Sequence, residues 1–324
     1  MRAVLCESLD GPDALTIGVR PDPVAGPGEV LVDIKAGGLN FADTLMVQGK
    51  YQEKPPLPFV PGLEAAGVVA AVGEGVIRVK PGDRVAALVD YGAFAEKAVA
   101  RERDVFPIPD SMDFEAGAAF PVAYGTAHGG LVWRDNLQPG EVLVVHGAAG
   151  GAGLAAVEVG KAMGATVIAT AGGPEKVALA LARGADHGID YKTEDVKERV
   201  RALTGGEGAD VYFDPVGGDV FDASIRAIRF GGRIVVIGFA AGRIPQVPAN
   251  LLLVKNIAVT GLYWGEHRRR HPDWMLAQFA DLTRWHAEGR LNPHISHRFP
   301  LEQAGEAMRT LLARKSTGKV VLTV

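Results

Sequence analysis

The chain is poor in cysteine, in unbroken apolar runs and in charge of one sign. A single cysteine, Cys6, among 324 residues excludes an internal disulfide and any multi-cysteine metal site, and it points to a reducing compartment. No stretch approaches the roughly 20 apolar residues of a membrane-spanning helix. The opening segment MRAVLCESLDGPD has too short an apolar run for a signal peptide, so a cytoplasmic protein with no membrane partner is expected. Lys and Arg number 34 against 38 Asp and Glu, a net charge of −4, which gives no reason to expect nucleic acid or an anionic membrane surface as partner. Repeats and low-complexity tracts are absent. With 48% hydrophobic and 22% charged residues the composition is that of an ordinary globular protein. Its length exceeds the size at which one core stops growing, so two domains are expected.

What is present is concentrated in residues 142–164, VLVVHGAAGGAGLAAVEVGKAMG. Four apolar β-formers, 142–145, predict a buried parallel strand. A Gly-rich turn follows, and then a helix with Leu154, Val157, Val159 and Met163 at helical spacing. Glycine at such a turn permits a tight reversal, close approach of the backbone to a pyrophosphate, and close packing of helix on strand. The helix start adds free N–H groups and a partial positive charge. The register is Ala148-x-Gly150-Gly151-x-Gly153, with alanine in place of the first glycine. Gly150, Gly151, Ala152 and Gly153 are therefore the candidate cofactor-binding loop.

The second strand of this unit, 166–170 (TVIAT), bears on which dinucleotide is bound. An NAD-preferring unit carries Asp or Glu at its end to bond the ribose 2′-hydroxyl. This chain has Ala171, Gly172 and Gly173 there, and Lys176 follows at the start of the next helix. A missing acid and an added cation suit a 2′-phosphate, so NADPH is the expected cofactor. Taken alone, Lys176 could equally be a solvated helix residue.

The rest of the chain falls into three parts. Residues 1–121 hold short β-rich runs separated by turn clusters such as Gly26-Pro27-Gly28 and Lys80-Pro81-Gly82-Asp83, the pattern of a β-barrel or sandwich. Residues 122–262 alternate strand and helix, the signature of an α/β doubly wound parallel sheet. Residues 263–324 show helical stretches at 275–288 and 302–312 and a closing strand at 319–324.

Several motifs now coincide: PGLEAAGVVAAVG (61–73), VKPGDRV (79–85), GAFAE (92–96), HGAAGGAG (146–153) and FDPVGG (213–218). With them the chain resembles the medium-chain dehydrogenase/reductase superfamily and, within it, the zinc-free quinone oxidoreductases related to zeta-crystallin, over nearly its whole length. The resemblance implies a GroES-like barrel (1–121) completed by 263–324, a Rossmann domain (122–262) carrying NADPH, an active site in the cleft, and a homodimer. It implies that Asn40 and Asp43 line the site near the nicotinamide, that Thr126 touches the nicotinamide ribose or amide, and that Tyr51 lines the acceptor pocket. A second pocket tyrosine of the family is replaced by Leu45, which leaves the pocket more apolar. Lys176, Tyr191 and Arg314 match a cluster around the adenosine 2′-phosphate, and the backbone of Phe239 matches a position facing the nicotinamide.

In zinc-dependent relatives a Cys stands where this chain has Asn40, a His where it has Leu63 and a Cys where it has Val122. Only Glu64 persists. A catalytic zinc needs three protein donors of the Cys, His or carboxylate type, so no metal is expected. His146 reads as a strand-end residue rather than a catalyst. His267 and His271, flanking Arg268, Arg269 and Arg270, read as a solvated loop.

Without a metal, the nicotinamide supplies hydride and the protein positions an acceptor and excludes water. No residue stands out as a general acid. Tyr51 is one candidate donor and water is another. A quinone needs little help, whereas an enone or enoyl thioester needs a proton delivered to carbon, so NADPH-dependent quinone reduction, by hydride or single electrons, is the leading expectation. Reduction of activated alkenes such as enones or enoyl-CoA is the alternative, with the arginine run as a candidate for CoA phosphates. The third reading is a low-turnover NADPH-binding structural protein.

Overall fold

One long strand, Glu29–Leu39, organises the first part of the chain. Its alternation buries Val30, Val32, Ile34 and Ala36 on the period of two that a half-buried strand requires. It changes partner midway along one edge. Residues 29–33 pair with Lys97–Arg101 and residues 36–39 pair with the C-terminal strand Lys319–Thr323, all antiparallel. Its other edge pairs with Glu64–Val72, with register irregularities between Leu31 and Val32 and between Ile34 and Ala36. Such bulges bend a strand and raise its twist, which lets one strand serve two neighbours.

The computed structural model describes all residues, Met1–Val324, and they form two units, Met1–Val122 with Asn292–Val324, and Ala123–Leu291. In the first unit the seven-stranded sheet runs Ile295–Pro300, Lys319–Thr323, Glu29–Leu39, Glu64–Val72, Arg84–Leu88 and Val105–Pro107, with Lys97–Arg101 joined to the long strand. A two-stranded sheet, Arg2–Cys6 with Leu15–Val19, is tied on through bridges from Ala3 to Ala95 and from Cys6 to Phe59. Val4, Val32, Phe59, Val85, Phe94 and Leu322 lie in its core. The β-rich half anticipated for the N-terminal third is this barrel.

The second unit is a six-stranded parallel sheet. Its order is His187–Asp190, Thr166–Ala171, Val142–His146, Ala209–Asp214, Ile228–Val236, Ala258–Gly261. The strand order reverses between Val142–His146 and Ala209–Asp214. In doubly wound sheets, ligands bind outside the carboxyl ends of the strands at that reversal. The helix Gly151–Ala162 is buried on most sides, with Leu154, Val157 and Val159 among its covered residues, as a helix inside an α/β layer requires.

Two expectations need correction. Residues 263–291, grouped with the barrel from sequence, belong to the second unit. The reason is a buried polar link. The indole N–H of Trp264 donates to Gln278 Oε1 at 3.1 Å, and Gln278 Nε2 donates to the Gly125 carbonyl at 2.8 Å, so these side chains satisfy one another only where they are. The arginine run is no solvated loop either. It forms the helix Trp264–Arg270, with Arg268 buried. His267 stands 4.9 Å from Trp133, ring to ring, and His271 stacks on Trp274 at 4.6 Å. No helix is long and apolar enough to cross a membrane.

Candidate active site

In the first unit, Asn40 ends the long strand's run and precedes the short helix Phe41–Met46. Its backbone N–H donates to the Asp43 carboxylate at 2.8 Å, the reciprocal contact by which a carboxylate at the third helical position holds a helix start. The Asn40 amide is engaged at both ends. Nδ2 donates to Glu64 Oε1 at 2.8 Å, and Oδ1 accepts from Lys319 Nζ at 2.8 Å. Lys319 also donates to Glu64 Oε1 at 2.7 Å and to the Leu39 carbonyl at 2.9 Å, so all three ammonium protons are used. The other Glu64 oxygen accepts the Val122 N–H at 2.7 Å. Glu64 is 0% and Lys319 4% exposed.

The structure thus brings together Asn40, Glu64 and Val122, three of the positions compared with zinc ligands. Hydrogen bonds to a lysine, an amide and a backbone N–H surround the one carboxylate among them. No group of three or more His, Cys, Asp or Glu side chains is placed to hold a metal ion. Sequence reasoning missed Lys319. The signal was Glu64 itself, a carboxylate kept at a buried position, which demands a counter-charge, although the sequence does not say which of 34 cationic side chains supplies it.

Asp43 is also fully buried. Burial raises its carboxyl to about 7, against the lowering pull of the Asn40 N–H and the Lys319 charge. Tyr51 packs partly buried against the barrel core, and Leu45 on the short helix is half-buried.

In the second unit the Gly loop leaves Val142–His146 and turns into the helix Gly151–Ala162. Gly150 caps that helix with no side-chain hydrogen bond, so the first-turn N–H groups at Gly151, Ala152 and Gly153 have no capping side chain. Gly153 is required by close approach: a Cβ there would lie 2.2 Å from the Gly147 carbonyl oxygen. The loop is a cradle of backbone donors suited to a pyrophosphate.

Strand Thr166–Ala171 ends without a carboxylate. The nearby Asp190 directs one oxygen to the Gly173 and Lys192 N–H groups, at 2.9 and 3.0 Å. The Tyr191 side chain, 40% exposed, lies against Gly172, where a Cβ would stand 2.6 Å from its hydroxyl. Lys176 is half-buried in the first turn of Pro174–Ala182. Gly172 and Tyr191 therefore meet at this strand end, and Lys176 follows in the first turn of the next helix. Arg314 is exposed after the helix Ala304–Leu312 and has a left-handed backbone with φ 58°; it belongs to the first unit.

Thr126 is 8% exposed on the helix Pro121–His128. Phe239 sits on a loop laid along residues 214–216, where Ile237 N–H donates to the Asp214 carbonyl and Ala240 N–H to the Pro215 carbonyl.

Two measurements probe the buried charges. Lys319→Met leaves Glu64 buried without a counter-charge and is expected to cost about 3–5 kcal/mol, whereas Glu64→Gln/Lys319→Met together should recover most of the urea midpoint. A double variant no more stable than the single one would contradict this account. For Asp43, the unfolded carboxyl titrates near ~3.9 and the native one at about 7. Between those values the unfolded chain has released a proton that the native state still holds, so this group lowers stability as pH rises through that window and adds no further change above it. Asp43→Asn should remove this pH-dependent loss, up to about 4 kcal/mol between roughly pH 4 and pH 7, read as the difference between urea-denaturation profiles of variant and wild type.

Comparison with known proteins agrees with this geometry. Residues 26–110 match the alcohol dehydrogenase GroES-like domain, and residues 151–281 match the zinc-binding dehydrogenase family. The chain is 44% identical over 327 residues to quinone oxidoreductase-like protein 2 of Rattus norvegicus, covering 100% of this chain and 92% of that protein. The Escherichia coli quinone oxidoreductase complexed with NADPH is 30% identical with a TM-score of 0.92, covering 100% of both chains. The Thermus thermophilus quinone oxidoreductase, solved alone and with NADPH, is 36% identical with a TM-score of 0.87, again covering 100% of both. The chain belongs to the zinc-free, zeta-crystallin-like quinone oxidoreductase family of the medium-chain dehydrogenase/reductase superfamily, with a GroES-like barrel and a Rossmann parallel sheet.

Proposed function

We propose that the chain reduces quinones with NADPH and without a metal. The observation that carries the cofactor reading is the end of strand Thr166–Ala171, which runs into Gly172 and Gly173 rather than Asp or Glu, with Tyr191 against Gly172 and Lys176 in the first turn of the next helix. NADPH, when bound, supplies the reducing equivalents. The first-turn N–H groups of 151–153 would hold its pyrophosphate, and Lys176 and Tyr191 its 2′-phosphate, with Arg314 a further candidate carried by the family resemblance. Thr126 and the Phe239 backbone would hold its nicotinamide half. Asn40, engaged at both ends of its amide, acts by shaping the acceptor site, with Asp43 supporting it. Tyr51 lines that site and is the candidate proton donor. Solved relatives named quinone oxidoreductases in complex with NADPH support the reading.

The alkene reading rests on a weaker phosphate-binding candidate than three free arginines would make. Arg269 and Arg270 pair with Glu266 at 2.9 and 2.6 Å, and Arg268 is buried, so the run does not offer three free cations to CoA. Apolar Leu45 favours naphthoquinones over small benzoquinones. A soluble cytoplasmic setting is part of the proposal, and the free, buried Cys6 fits a reducing compartment.

Steady-state turnover with NADPH against quinones, enones and enoyl-CoAs tests the substrate class. Quinone kcat/KM is expected to lead by about tenfold, a difference of ~1.4 kcal/mol in transition-state binding; the reverse order would establish alkene reduction, and no turnover with any acceptor would establish the binding protein. Lys176→Ala should raise the KM for NADPH about ten- to a hundredfold through loss of a charge-assisted contact, with that for NADH nearly unchanged.

Metal independence rests on the donors present: an amide at Asn40, hydrocarbon at Leu63 and Val122, and a Glu64 carboxylate already ion-paired with Lys319. Full activity after chelation, with no stoichiometric zinc by elemental analysis, is the expected result. A homodimer is also proposed. Ala258–Gly261 is an edge strand, and an unpaired edge is a template for another chain. Leu253 and Val254 on the preceding helix are 77% and 65% exposed. Light scattering at micromolar concentration should give twice the chain mass, and a monomeric mass would refute the assignment.

A further inference from the structure

The carboxyl end of the second unit's sheet contains a buried chain of hydrogen bonds. His146 is fully buried, and its ring bridges two hydroxyls, Nδ1 to Thr170 Oγ1 at 2.9 Å and Nε2 to Ser224 Oγ at 2.6 Å. The Ser224 hydroxyl donates its own proton to the Val220 carbonyl at 2.7 Å. Its oxygen must therefore accept from His146, so Nε2 carries the hydrogen and Nδ1 is left to accept from Thr170. Burial also pushes the imidazole pKa down, against the raising influence of Asp214, which favours this neutral form.

His146 and Thr170 stand beside loops, and Ser224 stands within a helix that starts at a third. His146 is followed directly by the Gly turn that starts at Gly147. Thr170 precedes Ala171 and Gly172, and its carbonyl accepts the Ala148 N–H at 3.0 Å. Ser224 lies on the helix Gly218–Ala227, whose start is held by Asp214 Oδ1 through the N–H groups of Val216 and Gly217, both at 2.8 Å. Val144 and Val145, the preceding residues of the same strand, are apolar and equally buried. Filling the core therefore does not call for a ring with two polar atoms, each costly to remove from water unless hydrogen-bonded. What the ring adds is fixed geometry across three elements.

We propose that His146 is a positioning residue for the dinucleotide, setting the spacing of loops 147–150, 171–173 and 215–218 so that one molecule can span them. The inference rests on the cofactor reading above and is independent of the acceptor. A ligand that spans several loops gains from their being held in register, whereas a ligand seated on one loop does not.

Calorimetric titration with NADPH and with adenosine 2′-monophosphate, which carries the strand-end half of the cofactor without the pyrophosphate, separates these cases. Ser224→Ala removes one end of the chain of bonds, Thr170→Val the other, and His146→Leu both, with folding checked by circular dichroism. The two hydroxyl variants keep the proposal testable if His146→Leu does not fold. Each folded variant should bind NADPH about tenfold more weakly while its affinity for the monophosphate stays within about twofold of wild type. NADPH affinity within about twofold of wild type, even with a lowered Tm, or an equal loss for both ligands, would overturn the proposal and leave His146 a packing residue. Wild-type protein that binds no NADPH would instead remove the cofactor reading, and this inference with it.

Discussion

A carboxylate sealed from water sets the terms of the first unit's site. Glu64 has no exposed surface, and an isolated buried ion costs several kcal/mol, so the fold must bring it partners. Lys319 delivers an ammonium from the far end of the chain, Val122 a backbone N–H and Asn40 an amide. Residue 319 reaches residue 64 only if the C-terminal strand pairs with residues 36–39 of the long strand, and that pairing is also what joins the chain's end to the barrel. The same contacts orient Asn40, and the helix start that carries Asp43 follows directly from it.

The second unit works by a different rule. Parallel strands all point their carboxyl ends one way, so His146, Thr170 and Asp214 converge at the reversal of strand order. These polar groups are fully buried and bonded to one another's elements or to nearby loop backbone. The surrounding turns are thereby hydrogen-bonded to their strands, while the first-turn N–H groups of the following helix keep no side-chain cap. A sheet built this way presents an edge of backbone donors without any charged side chain in the Gly loop. The cation and the tyrosine stand instead at the next strand end, the place where such folds tell 2′-substituents apart.

Much of this was legible in the sequence. The Gly loop, its flanking strand and its helix are contiguous, so local chemistry suffices to recognise them, and strands 142–146 and 166–171 fall where the sequence placed them. The missing acid after 166–170 could be read for the same reason. Residues 263–291 were harder. Helical periodicity identified the helix but not its partner, because Trp264, Gln278 and Gly125 satisfy one another across more than 100 residues of sequence. The run Arg268–Arg270 misled because charged residues are usually solvated, yet here it is helical and one of its arginines is buried.

The sequence by itself determined two domains, a Gly-rich turn between strand and helix followed by a strand end without an acid, and the absence of Cys and His at the compared zinc positions. Each depends on residue types at short spacing, where backbone geometry leaves few alternatives. Only the tertiary structure decided which lysine answers Glu64, which hydroxyls fix the His146 tautomer, and where the second unit ends. Those are pairings between groups far apart in the chain. Burial makes each of them obligatory, but burial is a property of the folded whole and is written in no local stretch of residues.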